Sequence, residues 1–172
     1  MQQPSSGRGR EEPPDPEALA KALRFIDYRP RSTGETSARL RKAGYSEDES
    51  REVTDYLEVV GILNDREFSR LFMEELIRKG LGAYKVRSEL LKKKLPRDLV
   101  EETMAAYPAD DEVDRALETA RKRFRQLDDE DERQARRKIC DYLVRRGYSR
   151  QASQTACRLL TQFDTESGPE LE

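Results

Sequence analysis

One segment recurs three times in this chain of 172 residues. It reads ARLRKAGYSEDESREVTDYL at Ala38–Leu57, SELLKKKLPRDLVEETMAAY at Ser88–Tyr107 and CDYLVRRGYSRQASQTACRLL at Cys140–Leu160. Leu40, Leu90 and Leu143 set the register, and Gly44, Lys94 and Gly147 stand at the matching place beyond them. The pairs Tyr45-Ser46, Leu95-Pro96 and Tyr148-Ser149 follow directly. Glycine after a helix adopts the left-handed cap at little steric cost, serine caps the next helix, and proline is tolerated in its first turn. Each copy therefore reads helix, tight turn, helix. Units of this kind cannot bury an apolar face alone and must stack on their neighbours, which predicts an elongated, curved body with a long surface suited to an extended partner.

Composition agrees with a thin helical protein. Leu, Ile, Val and Phe make up only about a fifth of the residues, near the margin at which chains stay unfolded. Charged residues make up 40% of the chain, yet the net charge is −2, so both signs can share the outer faces of amphipathic helices. No stretch alternates apolar and polar β-branched residues, so the predicted class is all-α. No apolar run approaches the ~20 residues needed to cross a bilayer, and the N-terminus lacks the apolar core of a signal peptide. A cytoplasmic protein with no membrane partner is expected. Residues 1–15 and the acidic residues 164–172 read as disordered tails, and removing them leaves a mildly basic body. The two cysteines, Cys140 and Cys157, fall on successive helices of the third copy, where small buried thiols are expected in preference to a disulfide.

Periodicity places the helices. The first starts near Pro16 and carries Leu19, Ala22, Leu23 and Ile26, and Arg29-Pro30 ends it. Ser32 or Thr33 caps a second helix through Leu40, and Ser46 caps a third with an apolar stripe of Val53, Tyr56, Leu57 and Val60. Asn64 or Asp65 opens the next, with Phe68, Leu71, Phe72, Leu76 and Ile77 as its stripe, before Gly80 and Gly82 break it. Val86, Leu90 and Leu91 continue, then Leu99, Val100 and Met104. In the last third, Val113, Ala116, Leu117, Ala120 and Phe124 mark one helix, Ile139, Leu143 and Val144 another, and Leu159, Leu160 and Phe163 close the body.

The chemistry-bearing residues point away from catalysis. Histidine is absent, which removes the commonest general base and the commonest metal ligand together. Two cysteines without histidine do not complete a tetrahedral zinc site, and neither a phosphate-binding GxxxxGK[ST] loop nor a GxGxxG turn is present, so no cofactor is expected. The run Asp128–Glu132 offers oxygen ligands for magnesium but fits a solvated loop or helix start better. No enzyme is expected.

Basic residues carry the functional signal. Between Arg78 and Arg97 lie Arg78, Lys79, Lys85, Arg87, Lys92, Lys93, Lys94 and Arg97 against the single acid Glu89. Arg121, Lys122 and Arg123 form a second group, and Arg136, Arg137, Lys138, Arg145 and Arg146 stand out in a third. Such density suits phosphate or an acidic protein surface. The plainer alternative is that long basic side chains merely cover helix faces. Tyr84, between two glycines and a run of bases, is the aromatic placed to stack on a base or a partner side chain, with ordinary packing as its alternative. The first copy has the opposite sign, with Glu47, Asp48, Glu49, Glu52, Asp55 and Glu58 against Arg51. Helix, turn, helix also describes DNA-reading motifs, but the residues opening the last helix, Ser149–Ser153, hold few base-reading side chains beyond Arg150 and Gln151.

Taken together, Arg29-Pro30-Arg31-Ser32, Gly61-Ile62-Leu63-Asn64-Asp65 leading to Phe68, Gly80-Leu81-Gly82 and Arg146-Gly147-Tyr148 resemble the RecX family of bacterial recombinase regulators. The likeness runs from about Leu19 to Leu160; the chain departs from it at Asn64, where an aspartate is expected, and at Leu71 and Met73, where a more polar or aromatic pattern is common. The resemblance implies three tandem three-helix repeats, assigned here to residues 16–63, 64–108 and 109–163. It also implies a body lodged in the groove of a RecA filament on single-stranded DNA; a monomer is expected, with double-stranded DNA as a further candidate ligand. Such proteins modulate, and usually restrain, filament assembly, ATP hydrolysis and strand exchange in recombination, repair and the SOS response. The competing expectation is a helical module that binds nucleic acid directly, with no recombinase partner.

Overall fold

In this computed structural model, residues 13–127 and 132–166 are described, with residues 132 and 161–166 described by backbone alone. Most of the N-terminal tail, most of the acidic run Asp128–Glu132 and the chain beyond Glu166 lie outside the described residues. Among the described residues there are nine helices and no strand: α1 Pro16–Asp27, α2 Thr33–Lys42, α3 Glu47–Val59, α4 Asp65–Arg78, α5 Ala83–Lys92, α6 Arg97–Ala105, α7 Glu112–Phe124, α8 Glu132–Arg145 and α9 Arg150–Glu166. They form three tandem three-helix units, and no helix among the described residues is long and apolar enough to cross a membrane.

Local capping fixes where these helices begin. Asp15 accepts a hydrogen bond from the Ala18 N–H at 2.9 Å, so it closes α1 instead of belonging to a tail. Ser32 with Glu35, and Ser46 with Glu49, each form a reciprocal capping box. Asn64 accepts from the Glu67 N–H at 3.0 Å and so caps the start of α4. Helix α9 continues through Glu166, three residues into the stretch read as tail, because the breakers Gly168-Pro169 come only later.

The chain divides into two compact units, one comprising residues up to Phe68 together with Lys93–Leu95, the other Ser69–Lys92 together with Pro96 onward. In the first, Ala18 and Ala22 of α1 pack against Leu40 of α2, Val53 and Leu57 of α3, and Leu63. Alanines on α1 let the helices approach closely where larger side chains would hold them apart. In the second, Ala116, Leu117 and Ala120 of α7 meet Ile139 and Leu143 of α8 and Ala156, Cys157 and Leu160 of α9. Ile139 and Leu143 are fully buried, and truncating either to alanine costs about 2–5 kcal/mol.

Several apolar residues depart from the predicted stripes. Leu71 is 48% exposed while Met73 and Ser69 are buried, so α4 turns a face rotated from the one its large residues suggested. Val60 and Val144 are likewise exposed. A repeat of three and four identifies a face but not the neighbour that covers it. The cysteines differ as well: α8 and α9 lie side by side and join Cys140 to Cys157 in a disulfide, with Cα atoms 6.0 Å apart.

Within each unit, one helix start is met by the turn that ends a later helix. In the first, the Ser32 hydroxyl donates to the Lys93 carbonyl, the Lys93 ammonium lies 3.7 Å from Glu35, and Asp65 accepts from the Thr33 N–H at 2.8 Å. A Cβ on Gly34 would fall 2.3 Å from the Lys94 carbonyl oxygen. In the second, the Gly82 N–H donates to the Arg146 carbonyl at 2.9 Å and the Tyr84 N–H to the Gly147 carbonyl at 3.1 Å. There a Cβ on Gly82 would lie 2.3 Å from the Tyr148 nitrogen. In the second unit unpaired N–H groups of a helix start thus meet unpaired carbonyls of a helix end, in the first the cap hydroxyl meets such a carbonyl, and in both glycine allows the backbones to touch.

Gly82→Ala should therefore lower unfolding stability by about 1–3 kcal/mol in urea titration, whereas Gly34→Ala should strain only the first unit. Burial, opposed by the Thr33 hydrogen bonds and reinforced by Glu58 and Glu35, holds the Asp65 carboxyl above its ordinary value. A raised acid binds its proton more tightly when folded, so this contribution to stability is present at low pH and is lost as pH rises through the folded value. Asp65→Asn should keep an acceptor for Thr33 and remove that loss, visible as a flatter stability curve between pH 3 and 7.

Candidate functional site

Bases at helix ends converge in the second unit. Gly80 ends α4 and leaves Arg78 and Lys79 at its last turn; α7 carries Arg121, Lys122 and Arg123 in its last turn; Arg146 follows the end of α8. Basic residues are favoured at these positions because the helix dipole is negative there. Packing brings the three ends around one cleft of about 560 Å³, with Arg78, Lys79, Lys122, Arg123 and Arg146 among its walls.

The charges in this cleft are not equally available. Arg146 donates from Nε to the Gly80 carbonyl at 3.1 Å and from its guanidinium to the Lys79 carbonyl, so it closes the end of α4. Its guanidinium also sits 5.6 Å from the Tyr142 ring, with Arg123 5.7 Å from the same ring. Lys122 lies 2.7 Å from Glu118, and that hydrogen bond, aided by Coulomb attraction, holds the Glu118 carboxyl below its usual range. Lys79 pairs with Glu75 at 2.5 Å. Behind the cleft, the buried Tyr148 hydroxyl lies 3.0 Å from the Thr119 hydroxyl, and burial pushes Tyr148 up.

The remaining candidate residues take other places. Tyr84 is 70% exposed on α5, beside Lys85, which lies 3.6 Å from Glu89. Lys92 also reaches Glu89, at 2.8 Å, and this hydrogen bond is the first cause of the lowered Glu89 carboxyl. Arg87 pairs with Glu101 on α6. Lys93 and Lys94 form the turn docked on α2, and Lys94 takes the left-handed backbone (φ 58°) that glycine takes at the equivalent turns. Arg121 is exposed on α7 outside the cleft lining. Arg136, Arg137, Lys138 and Arg145 are exposed along α8.

The cleft also contains residues that sequence reading did not select: Arg115, Thr119, Gln126 and Tyr142. Arg115, Thr119 and Lys122 follow one another at helical spacing on α7, with Gln126 in the turn beyond it, a signal present in the sequence but visible only as a polar face. Among the described residues, no cluster of acids and cysteines has the makings of a metal site.

Fold and cleft define the class: a tandem three-helix-repeat protein with a cleft walled by basic residues. Comparison with known proteins is specific. Residues 18–57 match the family described as RecX, first three-helix domain; residues 64–104 match the second three-helix domain, and residues 110–156 the third. Regulatory protein RecX of Prosthecochloris aestuarii is 33% identical over 146 residues, covering 84% of this chain and 94% of that protein. Its counterpart from Mycobacterium avium is 33% identical over 136 residues, covering 77% and 78%. The crystal structure of RecX from Lactobacillus salivarius shares the fold with a TM-score of 0.71 at 20% identity, covering 85% of this chain and 96% of that one. The chain belongs to the RecX family of regulatory proteins.

Arg146→Ala should lower stability by about 1–3 kcal/mol because it strips the caps from α4. Arg78→Ala, at an exposed position, should stay within about 0.5 kcal/mol of the parent. Paired urea titrations with α-helical circular dichroism as the signal would separate the structural base from the available one.

Proposed function

We propose that this protein is a regulator of RecA recombinase that engages the RecA filament on single-stranded DNA and restrains filament assembly, ATP hydrolysis and strand exchange. The observation that carries the reading furthest is the convergence of Arg78, Lys79, Lys122 and Arg123 around one cleft in a protein of a regulatory family. The cleft supplies cationic contacts to acidic recombinase surface or to filament phosphate, and the exposed bases Arg136, Arg137, Lys138 and Arg145 of α8 extend them. Tyr84, Lys85, Arg87 and Lys92 of α5 are proposed as a secondary contact. Lys93, Lys94 and Arg146 act by holding the repeats that present the others. In this reading the protein works as a monomer in the cytoplasm, regulates and does not catalyse, and is built of the repeats 16–63, 64–108 and 109–163.

A second reading draws on the exposed Tyr84 flanked by bases, which suits stacking on an unpaired nucleotide. A module binding DNA by itself shows tight binding that falls steeply with salt, because each neutralised phosphate releases counterions.

The test is a recombinase ATPase assay on single-stranded DNA with this protein at substoichiometric ratios and filament length followed in parallel. The parent should shorten filaments and suppress turnover. The combined variant Arg78→Glu, Lys79→Glu, Lys122→Glu, Arg123→Glu should require roughly tenfold more protein for the same effect, a loss of about 1.4 kcal/mol of binding, with its helical spectrum unchanged. Full inhibition by that folded variant would remove the cleft from the proposal. Tight, salt-sensitive binding to DNA without any effect on filaments would favour the second reading.

A further inference from the structure

The third repeat places its two cysteines where thiol chemistry has an entrance. Cys140 on α8 is half-buried, Cys157 on α9 is buried, and the bond between them closes a sequence separation of 17 residues. A Cα separation of 6.0 Å lies inside the range a disulfide spans without moving the backbone. Two recesses open beside Cys140. One, of about 360 Å³, is lined by both cysteines with Arg136 and Arg158. The other, of about 450 Å³, adds Arg145 and Arg150 next to Cys140. The two helices are already held by Ile139, Leu143, Ala156 and Leu160, so their adjacency does not depend on the bond. A sulfur reached from solvent, a buried partner behind it and guanidinium groups at the entrance are the surroundings of an exchangeable pair.

We propose that Cys140 and Cys157 form a reversible thiol–disulfide pair that exchanges with anionic low-molecular-weight disulfides. Cys140 is the entry thiol and Cys157 the resolving thiol. The Cys140 thiolate attacks one sulfur of the reagent disulfide; a mixed disulfide forms and one reagent thiolate leaves. The Cys157 thiolate then attacks the Cys140 sulfur, the intramolecular bond forms and the second reagent thiolate leaves. Two electrons pass from the cysteine pair to the reagent, and the two protons given up by the cysteines are taken up by the released thiolates. Arg136 and Arg158 draw the carboxylates of the reagent into the recess, which sets its charge preference. The reverse sequence, starting from a small anionic thiol, reopens the bond. None of this depends on the recombinase reading, because the chemistry is followed on the protein alone.

Oxidised glutathione is the probe, with the full chain first reduced and freed of reductant. Intact mass and alkylation should show loss of two hydrogens and protection of both cysteines, and reduced glutathione should reverse both. Cys157→Ser should stop at one glutathione on Cys140, whereas Cys140→Ser should react at least tenfold more slowly. Arg136→Gln with Arg158→Gln should slow the first step severalfold toward oxidised glutathione and leave the rate with uncharged hydroxyethyl disulfide unchanged. Should Cys157→Ser lose its helical spectrum, Cys157→Ala replaces it, and the wild-type arm needs no variant at all. The proposal fails if glutathione appears first on Cys157, if the bond resists reduced glutathione in the folded chain, or if the arginine pair slows charged and uncharged reagents equally.

Discussion

A helix start that is satisfied by the end of another helix is the interaction on which the rest of this structure depends. Every α-helix leaves donors unpaired at one end and acceptors unpaired at the other. In the second unit the donors of α5, at Gly82 and Tyr84, meet the carbonyls that follow α8, at Arg146 and Gly147. In the first unit the start of α2 receives the turn Lys93–Leu95 in the corresponding way, with the Ser32 hydroxyl reaching the Lys93 carbonyl. Polar groups that water would otherwise serve are used to join elements far apart in sequence. This matters in a chain with so few large apolar residues, where hydrophobic area alone gives little specificity of placement.

The same arrangement explains which bases remain at the surface of the cleft. Residues at the ends of helices are basic because the dipole favours them there, and the docking of helix ends gathers those residues. One of them, Arg146, is drawn into the joint and caps α4, while Arg78 and Arg123 stay at the cleft. Structural and available charge thus have one origin and separate only in the folded molecule. The integrity of the cleft depends on the first kind, and the charge it presents on the second.

Much of this was legible in the sequence, because the signals are local. Ser32 and Ser46 announced their helices, the glycines announced the stops, and the threefold spacing announced the repeats, since capping and left-handed turns are decided by a few neighbouring residues. The motifs that carry the family likeness, Arg29–Ser32, Gly80–Gly82 and Arg146–Tyr148, fall at the docked ends. What escaped was tertiary. The exposure of Leu71 and Val144 depends on which helix lies opposite, and periodicity is silent about that. The pairing of Cys140 with Cys157 depends on the register between α8 and α9. Arg115 and Gln126 looked like an ordinary polar face until α4 and α8 supplied the other walls. Lys94 looked like one more positive charge, although its position demands the backbone of a glycine.

The amides of Gly82 and Tyr84 occupy an unusual position for hydrogen exchange. At the start of an isolated helix they would trade their protons with solvent freely, since nothing within the helix accepts from them. Here each is bound to a carbonyl more than sixty residues away in sequence. Their exchange therefore reports the opening of the joint itself and not the fraying of α5. Two backbone protons become an internal gauge of how firmly the third repeat holds the second, separate from the global stability that the buried amides of α8 would record.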